Sequence, residues 1–204
     1  MIGIESSSRF SELKLLVVAS PKFDECDDLL ELVKRFKGVV ILCGDIAECY
    51  EVATLGKRLV GVPSLLSDTC EVKVFRELGI LAMGHWLEIG GVCVGGIDAK
   101  NVLQCIELLR RDLDTCSGTK ILVSTQRLGY ADIVGYPRAE DLCSTLRASA
   151  IVVCGLGKDF CSDPRVTRVG RCVVVEACCR SATMIRVALG DPVEVEATCI
   201  RIER

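Results

Sequence analysis

Histidine and cysteine are the side chains best able to bind metals or act as nucleophiles. This 204-residue chain has one histidine but 14 cysteines. His85 lies in Gly84-His85-Trp86, just before a predicted strand, where a structural role is more usual than a catalytic one. No two cysteines have the Cys-x-x-Cys spacing of a zinc knuckle or a thioredoxin-type redox site. A zinc cluster and a Cys–His nucleophile are therefore both poor interpretations.

Many of the cysteines lie inside apolar runs, where a thiol acts as a small buried hydrophobe. Examples are Cys43, Cys93 and Cys154. We therefore interpret the cysteines as core residues together with some disulfides, whose pairing the sequence leaves open.

Heat-labile amides are scarce, because the chain has one asparagine and two glutamines. Such depletion is typical of hyperthermophiles, whose intracellular proteins also carry disulfides. We expect a hyperthermophilic, archaeal source and a cytoplasmic protein.

Composition excludes several classes of function. The net charge of −3 comes without a basic stripe, which argues against a nucleic-acid partner. No apolar run approaches a membrane span, and no Gly-x-Ser-x-Gly elbow or Walker-type loop is present. Half of the residues are hydrophobic, which is enough for one real core. We expect a flexible leader over residues 1–11 and a single domain over residues 12–204.

Apolar periodicity predicts the elements that must position any site. Leu13 to Ala19 and Val39 to Cys43 are short apolar runs typical of buried strands, with an amphipathic helix between them. Strand, helix and parallel strand make a βαβ unit. Further helices are expected over Tyr50 to Arg58, over Cys70 to Leu78, after a cap at Asn101, and from Ala139 to Leu146. Further strands are expected at Leu59 to Val62, Ile80 to Met83, Trp86 to Ile89, Val92 to Ile97, Ile121 to Ser124, Ile151 to Cys154, Val166 to Glu176, Thr183 to Leu189 and Val193 to Ile202.

From about Leu13 onward, this order of elements, with Gly44-Asp45 directly after the second strand, resembles the calcineurin-like metallophosphoesterases. The resemblance implies an α/β (α+β) fold, a metallophosphoesterase-like sandwich of two mixed β-sheets flanked by helices. It also implies chemistry in loops at the strand ends. There, Asp, His and Asn of the family hold two metals that activate a water and clamp a phosphate.

Most of the ligand positions that the resemblance implies carry other residues. The family's Asp-x-His after the first strand is replaced by Ser20 and Lys22, its metal-binding Asn by Leu66, its Thr-His loop by Ser124-Thr125, and its Gly-His-x-His by Gly155-Leu156-Gly157-Lys158. Asp45, with Glu48 nearby, and Asp68 are kept. Two carboxylates without histidine cannot build a two-metal site, so the resemblance implies a degenerate member.

The expected function is therefore a non-catalytic pseudoenzyme that acts as a binding or assembly module. Its partner would be an unknown protein or a second copy of the chain. No cofactor is expected. A single Mg²⁺ or Mn²⁺ ion on Asp45 and Asp68 is disfavoured, because the positively charged Lys22 and Lys158 are expected in loops at the same strand ends.

Three basic side chains leave alternatives open. Lys22 and Lys158 could neutralise Asp45 and Asp68 in place of metal charge. Together with Arg127 they could instead hold a phosphate or nucleotide without cleaving it, or a rebuilt pocket could retain some phosphoesterase activity. The simplest interpretation is that loop lysines point to water.

Overall fold

The structure, a computed structural model, describes residues 12–19, 21, 23–46, 49–56, 58–64, 67, 69–98, 100–125, 137–154, 163–177, 181–188 and 193–200. The predicted leader, residues 1–11, lies outside the described residues. Within those ranges the chain forms two β-sheets and five α-helices.

The first sheet has five strands in the order β11-β10-β1-β2-β3. Its parallel half is the predicted βαβ pattern, and β10 and β11 add to it antiparallel. The strands are β1 (Glu12–Ala19), β2 (Val39–Cys43), β3 (Leu59–Val62), β10 (Ser181–Ala188) and β11 (Glu194–Ile200).

The second sheet has six strands in the order β4-β5-β6-β7-β9-β8. Its four inner strands are parallel, and an antiparallel strand lies at each edge. The strands are β4 (Trp86–Ile89), β5 (Val92–Ile97), β6 (Thr119–Ser124), β7 (Ala150–Cys154), β8 (Arg165–Val169) and β9 (Cys172–Ala177).

Helices cover the outer face of each sheet. Three pack on the first sheet: α1 (Cys26–Arg35, preceded by the 3-10 turn Phe23–Glu25), α2 (Tyr50–Thr54) and α3 (Thr69–Glu77). Two pack on the second sheet: α4 (Val102–Arg111) and α5 (Ala139–Thr145). Among the described residues no helix is long and apolar enough to cross a membrane.

The apolar core lies in three layers, one between the sheets and one under each group of helices. Val17 and Ile41 face the second sheet, whereas their neighbours Leu16 and Leu42 face the helices. Since alternate residues of a strand point to opposite faces, a strand covered on both faces becomes apolar throughout. This explains the continuous apolar runs in the sequence.

The predicted architecture is confirmed, with differences at three elements. The run Val166 to Glu176 is two antiparallel strands that turn at Gly170, whose φ of +61° favours glycine. Ile80 to Met83 makes isolated bridges to Gly61 and Gly96 instead of a strand. The helix predicted over Tyr50 to Arg58 ends at Thr54, because the chain turns at Gly56 and Arg58, both with positive φ.

Disulfides are more extensive than the apolar runs indicated. Four bridges have both halves described: Cys26–Cys49, Cys43–Cys154, Cys93–Cys116 and Cys143–Cys172. Cys199 is also disulfide-bonded. Cys43, Cys93 and Cys154, which we interpreted as buried thiols, are therefore all cystines. Cys70 and Cys105 are free.

Candidate functional site

The parallel strands of both sheets end at the same side of the sandwich. The bridge between Cys43, the last residue of β2, and Cys154, the last residue of β7, brings these two strand ends to a Cα–Cα distance of 6.3 Å. We call this side the strand-end edge. Its described residues are Gly44, Asp45, Ser64, Ser67, Asp98, Ser124 and Thr125.

The turn after β2 is held by its glycine. Gly44 has a φ of +89°, a conformation that residues with a side chain rarely adopt. Its N–H donates to the carbonyl of Val62 at 3.0 Å, so the turn is tied to the end of β3. Asp45 follows directly and is half-buried. The structure thus places the predicted carboxylate at the strand-end edge.

Two serines connect the loop after β3 to this turn. The Oγ of Ser67 accepts the N–H of Ser64 at 2.9 Å, and its hydroxyl lies 3.3 Å from the Gly44 carbonyl and 3.4 Å from the Ser64 Oγ. Both serines are buried. Sequence reasoning missed both as parts of the candidate site.

Thr125 stands where the resemblance implies a metal-binding histidine. It directly follows β6 and is 0% exposed. It continues the alternation of Ile121 and Val123, which face the first sheet. Its Oγ1 has no hydrogen-bond partner within the described part of the chain. A buried hydroxyl without a partner is costly, at about 1–3 kcal/mol.

Asp98, which follows β5, is a buried carboxylate that sequence reasoning missed. Its Oδ1 accepts the N–H of Lys100 at 3.1 Å, and its Oδ2 accepts the side-chain amide of Asn101 at 3.3 Å. Asn101 occupies the predicted N-cap position of α4, but its side chain makes no cap hydrogen bond. Asp98 therefore organises the start of this helix. The available signal was an Asp in an Asp-Ala-Lys-Asn turn.

Burial raises the pKa of the free Cys105 thiol, which lies one turn into α4. A hydrogen bond with the Asp98 backbone lowers the pKa of this thiol, and the Asp98 charge raises it. Because burial dominates, Cys105 is held as a neutral thiol. The thiolate is the reactive form of cysteine, so this residue is a poor nucleophile.

The predicted site residues divide into two groups. The structure describes Asp45 and Thr125. The other predicted positions lie outside the described residues: Ser20, Lys22, Glu48, Leu66, Asp68, Arg127, Leu156 and Lys158. Within the ranges described, no three His, Cys, Asp or Glu side chains form a group that could hold a metal ion.

His85 lies at the start of the edge strand β4. Its side chain is 59% exposed, and its Nδ1 lies 3.7 Å from the Asp112 carboxylate. The neighbouring Trp86 donates its ring N–H to the Leu109 carbonyl at 2.9 Å. Trp86 is thus an anchor for α4, and His85 is exposed.

No family model and no curated protein matches the sequence. Solved structures do match. TT1561 of Thermus thermophilus is 13% identical, with 94% of this chain covering 100% of that chain at a TM-score of 0.64. A proposed 5′-nucleotidase from Staphylococcus aureus, in complex with alpha-ketoglutarate, is 10% identical at a TM-score of 0.54, over 93% of this chain and 54% of that one. This chain thus spans about half of that protein. Vps29 of Chaetomium thermophilum is 10% identical over 91% of this chain and 95% of that chain, at a TM-score of 0.42.

At such low identity the likeness shows the fold alone. The two mixed β-sheets flanked by helices are shared with these solved structures, so the fold implied by the resemblance is confirmed.

Proposed function

We propose that this chain is a degenerate calcineurin-like metallophosphoesterase, a pseudoenzyme that acts as a binding or assembly module. The fold supports the superfamily. The observation that carries the loss of catalysis is Thr125. A fully buried threonine stands where the resemblance implies a histidine, and a neutral hydroxyl lacks the imidazole nitrogen that transition metals prefer.

The polar groups described at the strand-end edge support the same proposal. Ser67 binds Ser64 and Gly44, and Asp98 binds Lys100 and Asn101. These two side chains hold the start of a loop and the start of a helix. In the described part of the edge, the polar atoms of Ser67 and Asp98 are therefore used for structure.

The proposed partner is a protein or a second copy of this chain. A net charge of −3 gives no general attraction to phosphate backbones or anionic membrane surfaces, which is why nucleic acid and membranes are not proposed. Light scattering on the purified protein distinguishes a homo-oligomer from a monomer. A monomer would indicate that the partner is a different protein.

The experiment is calorimetric titration of the chelator-stripped protein with Mn²⁺ from micromolar to millimolar concentration. A parallel assay measures hydrolysis of a chromogenic phosphodiester in the presence of Mn²⁺. We expect no binding heat, no rise in melting temperature and no hydrolysis above background. The matched control is Asp45→Asn, which removes a carboxylate kept at a ligand position of the resemblance and should behave like the unmodified protein.

Two results would change the proposal. Tight binding of two ions per chain, together with hydrolysis that Asp45→Asn abolishes, would overturn it and establish a phosphoesterase. Stabilisation by inorganic phosphate without Mn²⁺ would instead favour anion binding by Lys22, Arg127 and Lys158. In that case, reversing the charge of these three residues should abolish the stabilisation.

A further inference from the structure

One disulfide differs from the others in what it joins. Among the four bridges whose two halves are described, Cys43–Cys154 connects the two sheets, whereas the other three each join elements on one side of the sandwich. It also closes the longest loop, with a sequence separation of 111 residues against 23, 23 and 29 for the others.

The bridge lies inside the layer between the sheets. Cys43 is 0% exposed and Cys154 is 1% exposed, and both belong to the apolar cluster that the sheets share. The turn of Gly44 and Asp45 begins at the very next residue after Cys43. The bridge therefore lies directly beneath the strand-end edge.

Other links between the sheets lie at the sides of the sandwich. On one side, Ala82 donates its N–H to the Gly61 carbonyl at 3.0 Å and accepts the Gly96 N–H at 2.9 Å, joining β3 to β5. On the other side, the Arg168 guanidinium donates to the Val193 carbonyl at 2.7 Å. Between these two seams lies apolar packing, which is non-directional, and among the described bridges Cys43–Cys154 is the covalent link between the sheets there.

We propose that Cys43–Cys154 is a conformational latch that keeps the strand-end edge closed. It holds the end of β2 against the end of β7, so the positions of the Gly44-Asp45 turn and of the serine loop tied to it do not depend on a bound ion or ligand. This device goes beyond the proposed function, because it acts whether or not the edge binds a partner.

The test removes the latch as Cys43→Ala with Cys154→Ala and follows amide hydrogen exchange by mass spectrometry. The matched control is Cys93→Ala with Cys116→Ala, which removes a similarly buried bridge on the side of the second sheet. Reporters at the edge are the Gly44 N–H bonded to Val62 and the Ser67 N–H bonded to Ser64. A reporter away from the edge is the Ser149 N–H, which is bonded to the Lys120 carbonyl before β7 begins.

We expect the latch variant to exchange at least about tenfold faster at Gly44 and Ser67, which corresponds to about 1.4 kcal/mol of opening free energy. Exchange at Ser149 should remain unchanged. The control should leave all three reporters unchanged and speed exchange near residues 93 and 116.

Four results would overturn the latch. The first is unchanged exchange at the edge, and the second is an equal increase at all three reporters. The third comes from a Cys43→Val variant with Cys154→Ala, which better fills the vacated volume and so separates lost packing from a lost cross-link. If this variant restores slow exchange, packing and not the bond closes the edge. The fourth result is that neither variant folds while the control does, which would make the bridge a requirement of the whole fold and not of this edge.

Discussion

The strand-end edge and the layer between the sheets are built from the same strands but have opposite chemistry. The layer is filled by a hydrophobic cluster, with Thr183 of β10, the strand partner of Val17, as a buried polar residue beside it. At the edge the buried side chains become polar within one or two residues. In the described part of the chain, five buried polar residues lie at the edge: Ser64, Ser67, Asp98, Ser124 and Thr125. Glu71 is also buried and polar, but it lies away from the edge in the first turn of α3.

This difference separates what makes the sandwich stable from what shapes its edge. Apolar burial in the layer stabilises the folded state roughly in proportion to the buried area, and it does not distinguish one sandwich from another. Buried polar groups stabilise only where a partner is in place, and they specify one loop arrangement. The layer therefore accounts for the stability of the fold. The buried polar side chains of the edge are the part that is specific to this chain.

The largest effect is expected from a truncation in the layer. Ile121 is 0% exposed in β6 and packs between the sheets. Ile121→Ala should lower the free energy of unfolding by about 2–5 kcal/mol, since it removes buried apolar atoms and leaves a cavity. Urea denaturation of the oxidised protein measures the loss. Leu103→Ala on α4, where the leucine is 65% exposed, is the control and should change stability by less than about 0.5 kcal/mol. Similar losses for both would mean that the layer is not the main source of stability.

A smaller loss is expected from the serine that ties the edge together. Ser67→Ala removes the acceptor of the Ser64 N–H and the donor to the Gly44 carbonyl. We expect a loss of about 1–3 kcal/mol, because buried groups lose their partner. Ser117→Ala, at an exposed position, is the comparison and should be nearly neutral. If Ser67→Ala is also neutral by thermal melting, the edge is held by other contacts.

The smallest change has the opposite sign. Thr125→Val replaces a buried hydroxyl that has no partner among the described residues with a methyl group of the same shape. We expect a gain of roughly 1 kcal/mol, because a desolvation cost is removed without a change of volume. Chemical denaturation next to the unmodified protein measures it. A loss of stability would show that the hydroxyl is hydrogen-bonded in solution.

Much of the scaffold was predictable because its signals are local. Apolar runs of four to seven residues, helix-period stripes and glycine turns are each read within a short window, and they led to the correct strands from Leu13 to Val62. The same window failed for the run from Val166 to Glu176. There, a single turn at Gly170 divides what was predicted as one strand into a hairpin.

The candidate site was only partly predictable, because its features depend on residues that are distant in sequence. Asp45 was recognised through the Gly-Asp turn and the resemblance, and Thr125 through the resemblance alone. Asp98 and Ser67 were missed, since a carboxylate or hydroxyl near a turn carries no local mark of being buried or of what it binds. Cysteine pairing was also open, because the halves of a bridge can be more than a hundred residues apart, as Cys43 and Cys154 are.

The sequence by itself determined that the chain folds as layered sheets and helices, and that it has a single histidine. Both follow from composition and short-range spacing, which do not depend on how the chain closes. The tertiary structure decided which strand ends meet, that Thr125 is sealed from solvent, and that a disulfide joins the sheets beneath the edge. These depend on how the two sheets pack, and packing is a property of the whole chain.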